Sequence, residues 1–117
     1  MKVNLDYYFH SLDGKKILKK EQGSKFTDKP PAEVEYMQLR DALETALLTI
    51  EPGEKITGEE KVRRHNLAVK IHNTVGEIEL GLDNLKLLKD LVGVRFPPLI
   101  VAQSWQILDP QGGHNVK

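Results

Sequence analysis

Leu47-Leu48-Thr49-Ile50-Glu51-Pro52-Gly53-Glu54-Lys55-Ile56-Thr57 runs into Gly58-Glu59-Glu60, and Ile71-His72-Asn73-Thr74-Val75-Gly76-Glu77-Ile78-Glu79-Leu80 runs into Gly81-Leu82-Asp83. Both stretches read as the end of one helix, a short β-like run and the start of the next helix. In each, a glycine precedes an isoleucine set among charged residues. The repeated plan predicts a mainly α fold, a four-helix domain built from EF-hand-like helix–loop–helix pairs. Lys55-Ile56-Thr57 and Glu77-Ile78-Glu79 are expected to pair as a short β-bridge between the connectors.

A calcium-binding EF-hand needs glycine at loop position 6, an apolar residue at 8, and oxygen ligands at 1, 3, 5 and 12. Gly76 at position 6 puts Ile78 at 8, but leaves Ile71, Asn73, Val75 and Leu82 at the ligand positions. Only Asn73 offers an oxygen there. Ile56 at position 8 puts Glu60 at 12, with Thr49 and Gly53 at 1 and 5. Such loops carry too little negative charge to offset a cation's dehydration, so the pairs are expected to be metal-free.

Four helices follow from periodicity. The first, from about residue 33 to 48, carries Tyr36, Leu39, Leu43, Ala46 and Leu47 at helical spacing. The second, 58–73, opens on Thr57 with Glu60 three residues on, a capping-box pattern. Leu67, Ala68, Ile71 and Val75 form its buried stripe. The third, 82–92, carries Leu82, Leu85, Leu88 and Val92 along one side, and Leu87 and Leu91 widen that side around much of the circumference, which marks a central helix. Gly93 reads as its C-terminal stop. The fourth starts at Pro97-Pro98 and carries Val101, Trp105 and Leu108 on one face.

Ahead of these helices, Leu5, Tyr7 and Phe9 alternate before Asp13-Gly14, a turn dipeptide, and Ile17-Leu18. This predicts an N-terminal β-hairpin or extended arm. The organisation reads as an arm and linker over 1–31, a helical domain over 32–109 and a tail over 110–117. The arm has little of the body's apolar periodicity, so residues 1–30 are expected to be dispensable for folding.

The 117 residues suit one small domain, with 17 basic and 17 acidic side chains. That neutrality disfavours a non-specific nucleic-acid binder. Cysteine is absent, which excludes disulfides and thiolate metal sites. The N-terminus carries no signal-like apolar run, and no stretch approaches the roughly 20 apolar residues of a membrane span. A cytoplasmic protein with no membrane contact is the expectation.

No Gly-rich phosphate loop, nucleophile elbow or Ser/His/Asp set is present, so neither catalysis nor a cofactor is expected. His65 and His72 stand seven residues apart, about 10 Å along a helix at 1.5 Å per residue, too far for one metal. The expected role is binding. Residues 1–30 hold seven lysines against four acids. Tyr7, Tyr8, Phe9, Lys15, Lys16, Lys19 and Lys20 of this arm form a candidate interaction surface, joined by Arg63 and Arg64 of the second helix. Adjacent residues of a strand face opposite ways, which makes Tyr8 the foremost exposed contact. A protein partner is the first reading; nucleic acid, held by the arm and second helix, is the alternative. Glu59 and Glu60 stand four residues ahead of Arg63 and Arg64 and neutralise them, against that alternative.

From Leu39 onward, Leu39-Arg40-Asp41-Ala42-Leu43, Ala46-Leu47-Leu48, Thr57-Gly58-Glu59-Glu60-Lys61, Leu67-Ala68 with Lys70-Ile71, Ile78-Glu79-Leu80 and Pro97-Pro98-Leu99-Ile100 occur in order, with Trp105 and Leu108 after them. This order resembles small proteins encoded by tailed bacteriophages and prophages, a group without an assigned activity. The resemblance spans residues 39–108 and implies a phage or prophage setting, in the host cytoplasm, with no particular chemistry. The arm lies outside it.

Overall fold

A computed structural model describes residues 1–18 and 35–110. Among these, the order is β1 (Lys2–Asn4), α1 (Leu39–Leu48), α2 (Gly58–His72), β2 (Glu77–Glu79), α3 (Leu82–Arg95) and α4 (Pro98–Leu108). The chain is mainly helical, with four helices and a two-stranded antiparallel sheet among the described residues. α1 packs on α2 and α3, and α3 packs on α4. Leu39, Ala42, Leu43 and Ala46 of α1 and Leu88 and Val92 of α3 are fully buried at the centre.

α2 begins as its sequence dictates, with the Thr57 hydroxyl accepting the Glu60 amide at 3.0 Å. α4 also starts as expected, with Pro98 in its first turn. α1 starts later than its periodicity suggested. Tyr36 and Gln38 are drawn into extended bridges with Leu18 and Tyr8, so the helix opens at Leu39. The Asp41 carboxylate accepts the Gln38 amide at 2.9 Å. The next two amides, of Leu39 and Arg40, donate to the carbonyls of Tyr7 and Leu5 at 2.8 and 3.1 Å. The N-terminal segment thereby satisfies helix-start donors that have no partner within the helix.

Gly93 does not stop α3, which continues to Arg95. A Cβ at Gly93 would stand 3.2 Å from Cζ2 of Trp105. The glycine therefore lets the indole of α4 lie close against α3.

The strand partner also differs from expectation. β2 pairs with Lys2-Val3-Asn4 of β1, not with Lys55-Ile56-Thr57, in the register Lys2–Glu79, Val3–Ile78 and Asn4–Glu77. Val3 and Ile78 face each other on the buried side, which fixes that register. Lys55-Ile56-Thr57 instead leads directly into the α2 cap.

The expected hairpin is present at Asp13-Gly14, where Gly14 has φ +87° and His10 bridges Lys16. It is not a separate appendage. Val3, Leu5 and Phe9 are fully buried in the same cluster as the helix side chains. That burial argues against the expectation of a dispensable arm. Residues 19–34 of the linker and 111–117 of the tail lie outside the described residues.

Candidate interaction surface

Three extended segments meet in a closed ring of main-chain hydrogen bonds. The Phe9 amide donates to the Met37 carbonyl at 3.1 Å, Met37 donates to Ile17 at 2.8 Å, and Ile17 donates back to Phe9 at 3.0 Å. Phe9 is buried, with Ile17 and Met37 packed against the core. Four of the residues flanking these three form the outer face. Tyr8 is half-buried, while Lys16, Leu18 and Tyr36 are exposed. The Lys16 ammonium lies 4.1 Å from the Tyr8 ring centre and 5.6 Å from that of Tyr36, a cation held between two aromatic faces.

The turn joins His10 to Lys16, which bridge each other. Leu12 at its tip is 96% exposed, the most exposed large apolar side chain among the described residues. Lys15 is exposed beyond it. Asp13 accepts the Ser11 hydroxyl and, at 3.1 Å, the Lys15 amide. These bonds, the hydroxyl first, hold its carboxyl below the usual carboxylate range. The turn is thus a fixed platform for Leu12.

Other candidate residues are placed differently. Phe9 is fully buried and leaves the interaction surface. The Tyr7 hydroxyl points inward and donates to Gln103 of α4 at 2.8 Å. Gln103 also accepts the His10 amide at 3.1 Å and donates to the His10 carbonyl at 2.7 Å, bolting the hairpin to α4. Lys19 and Lys20 lie outside the described residues.

Arg63 is exposed and reaches Glu60 and Asn84, each at 3.4 Å. Arg64 leaves the surface: it is buried, and its guanidinium bonds Glu60 at 3.1 Å and Glu54 at 3.2 Å. Glu54 also takes Arg95 at 2.7 Å, and Arg95 bonds the Thr49 carbonyl. Burial without these carboxylates would leave uncompensated guanidinium charge. The Glu51 amide, then Arg64 and Arg95, keep the Glu54 carboxyl below its ordinary range against the opposing effect of burial.

Sequence reasoning missed Gln103, Glu54 and Arg95 as organisers. The side chains they join, Gln103 to the N-terminal segment and Glu54 to Arg95, stand 41 or more residues away, and no local motif marks those links. Among the described residues, no three His, Cys, Asp or Glu side chains gather in a metal-holding group. No helix among them is long and apolar enough to cross a membrane. The outer face of the ring offers π faces, an ammonium and aliphatic side chains. In comparisons with known proteins, the chain matches no family model, no curated protein and no solved structure.

Proposed function

We propose that this protein acts without catalysis, by binding another protein, a host factor or a phage component, in the host cytoplasm. The observation that carries this reading is the gathering of Tyr8, Lys16, Leu18 and Tyr36, with Leu12 exposed at the tip of the adjoining turn. Aromatic side chains bury large area at small entropic cost and anchor many protein interfaces. The phage setting rests on the resemblance of residues 39–108 to small phage-encoded proteins. In the same reading, the two helix–connector–helix units serve as EF-hand-like scaffolding that takes no metal. The nucleic-acid alternative is weakened by Arg64, whose charge is spent on Glu54 and Glu60.

The test is affinity capture from host lysate with the wild-type chain and with Tyr8→Ser/Tyr36→Ser, each before and after nuclease treatment. A nuclease-resistant protein that the double variant fails to retain supports the reading. Loss of every partner on nuclease treatment transfers the role to nucleic-acid association.

A further inference from the structure

The two-stranded sheet has an edge whose direction follows from its hydrogen bonds. Leu80 donates to the Met1 carbonyl and Leu5 donates to the Gly76 carbonyl, each at 2.9 Å. Both pairs share the register of Val3 with Ile78. In an antiparallel ladder, hydrogen-bonded and non-hydrogen-bonded pairs alternate. Lys2–Glu79 and Asn4–Glu77 are therefore the non-hydrogen-bonded pairs. Their amides and carbonyls point away from the partner strand. The outer edge of β2 thus presents the N–H and C=O of both Glu77 and Glu79, and among the described residues no third strand pairs with it.

Side chains along this edge alternate. Glu77 and Glu79 are exposed on one face, and Ile78 is buried on the other. Val75 and Leu82, which flank the strand, are 91% and 84% exposed. Charged residues on a short edge strand ordinarily guard against indiscriminate pairing. Two almost fully exposed aliphatic side chains at its ends do not fit protection alone.

We propose that the outer edge of β2 is a strand-addition site for a cationic extended segment of another protein. Strand addition supplies affinity through main-chain bonds and selects through alternate side chains. Residues opposite Glu77 and Glu79 share their exposed face, where lysine or arginine forms favourable cross-strand pairs. The residue opposite Ile78 lies on the face of the core and is aliphatic. The pattern recognised is cation–aliphatic–cation. Lys2 already stands opposite Glu79 from the other side, and the Met1 ammonium bonds the same carboxylate. Opposite Glu77 stands only the neutral Asn4, so Glu77 is the principal selector. A second copy of β2 is a poor occupant, because antiparallel self-pairing sets carboxylates against carboxylates. This surface is separate from the ring face, and the proposal rests on the protein-binding reading only for its kind of partner.

The probe is a short synthetic peptide alternating valine and lysine, titrated into the full chain while backbone amide resonances are followed. Saturable binding with shifts at Glu77 and Glu79 is expected. Glu77→Lys and Glu79→Pro should each weaken it by about tenfold or more, as loss of an ion pair or a main-chain bond implies. Glu79→Pro removes an outward amide together with an exposed carboxylate that bonds the Met1 ammonium, at a position where an edge strand tolerates proline, so its melting curve should show a folded protein. Tyr8→Ser/Tyr36→Ser should bind the peptide as wild type does, which separates this site from the ring face. The proposal is overturned if the folded wild-type chain ignores the peptide, or if either β2 variant binds it undiminished. It is equally overturned if a valine–glutamate peptide or a backbone N-methylated peptide binds as tightly. Concentration-dependent dimerisation abolished by Glu79→Pro would assign the edge to a second copy instead.

Discussion

Phe9→Ala removes a fully buried ring that meets Tyr7 edge-to-face at 5.7 Å between centroids. Phe9 also donates its amide to Met37 and accepts that of Ile17, so its side chain seats the whole ring against the helices. Truncating a buried phenylalanine costs about 3–5 kcal/mol. Losing an aromatic contact of about 0.5–1.5 kcal/mol places this one in the upper half of that range. Domains of this size have total stabilities of about 5–15 kcal/mol, so the loss is a large share of the whole. At an ordinary urea slope of about 2 kcal/mol/M, the midpoint should fall by about 2 M. Urea melts followed by circular dichroism read this directly. Leu12→Ala, at a 96% exposed position, serves as control and should change stability by no more than about 0.5 kcal/mol. A loss below about 1 kcal/mol for Phe9→Ala, far short of the range for a core phenylalanine, would mean that the N-terminal segment is not part of the core.

Leu18 and Tyr36 are bridged, so replacing residues 19–34 with a short glycine–serine loop should preserve the helical circular dichroism signal and cooperative melting. Gly93→Val should cost about 1–3 kcal/mol by overpacking and alter the emission of Trp105, the sole tryptophan, whose ring lies 3.2 Å from the added Cβ. Calcium should leave the melting temperature unchanged, and micromolar binding by calorimetry would overturn the metal-free reading of the connectors. For acid stability, Glu54 has a folded pKa below its ordinary 4.5, so its stabilising effect is full above that value. It is lost as pH falls through the lowered folded value. Melting temperature against pH should therefore drop more steeply below about pH 4.5 for wild type than for Glu54→Gln.

Legibility in this chain divides by the distance over which each interaction acts. The Thr57 cap is a bond between residues three apart, and it forms where the pattern places it. The Asp13-Gly14 turn and the proline start of α4 are equally local. Gly93 carries a local stop signal that is overridden, because an indole twelve residues on requires the space. Tyr36 fits a helical stripe in sequence, yet pairing with Leu18 and capping by Tyr7 and Leu5 favour extended backbone up to Gln38. The pairing of β2 was the least legible element: two short segments of similar chemistry, Lys55-Ile56-Thr57 and Lys2-Val3-Asn4, compete for it. The competition is decided by which isoleucine-facing side chain completes the core, and Val3 does so with no exposure at all. The same long-range closure creates the candidate surface. Tyr8 and Lys16 are candidates in the sequence but Tyr36 reads there as part of a helical stripe, and the three become one patch only because Phe9, Ile17 and Met37 bond in a ring beneath them. A perturbation of that ring should therefore disturb stability and binding together, whereas Tyr8→Ser/Tyr36→Ser, made on its outer face, should weaken binding alone.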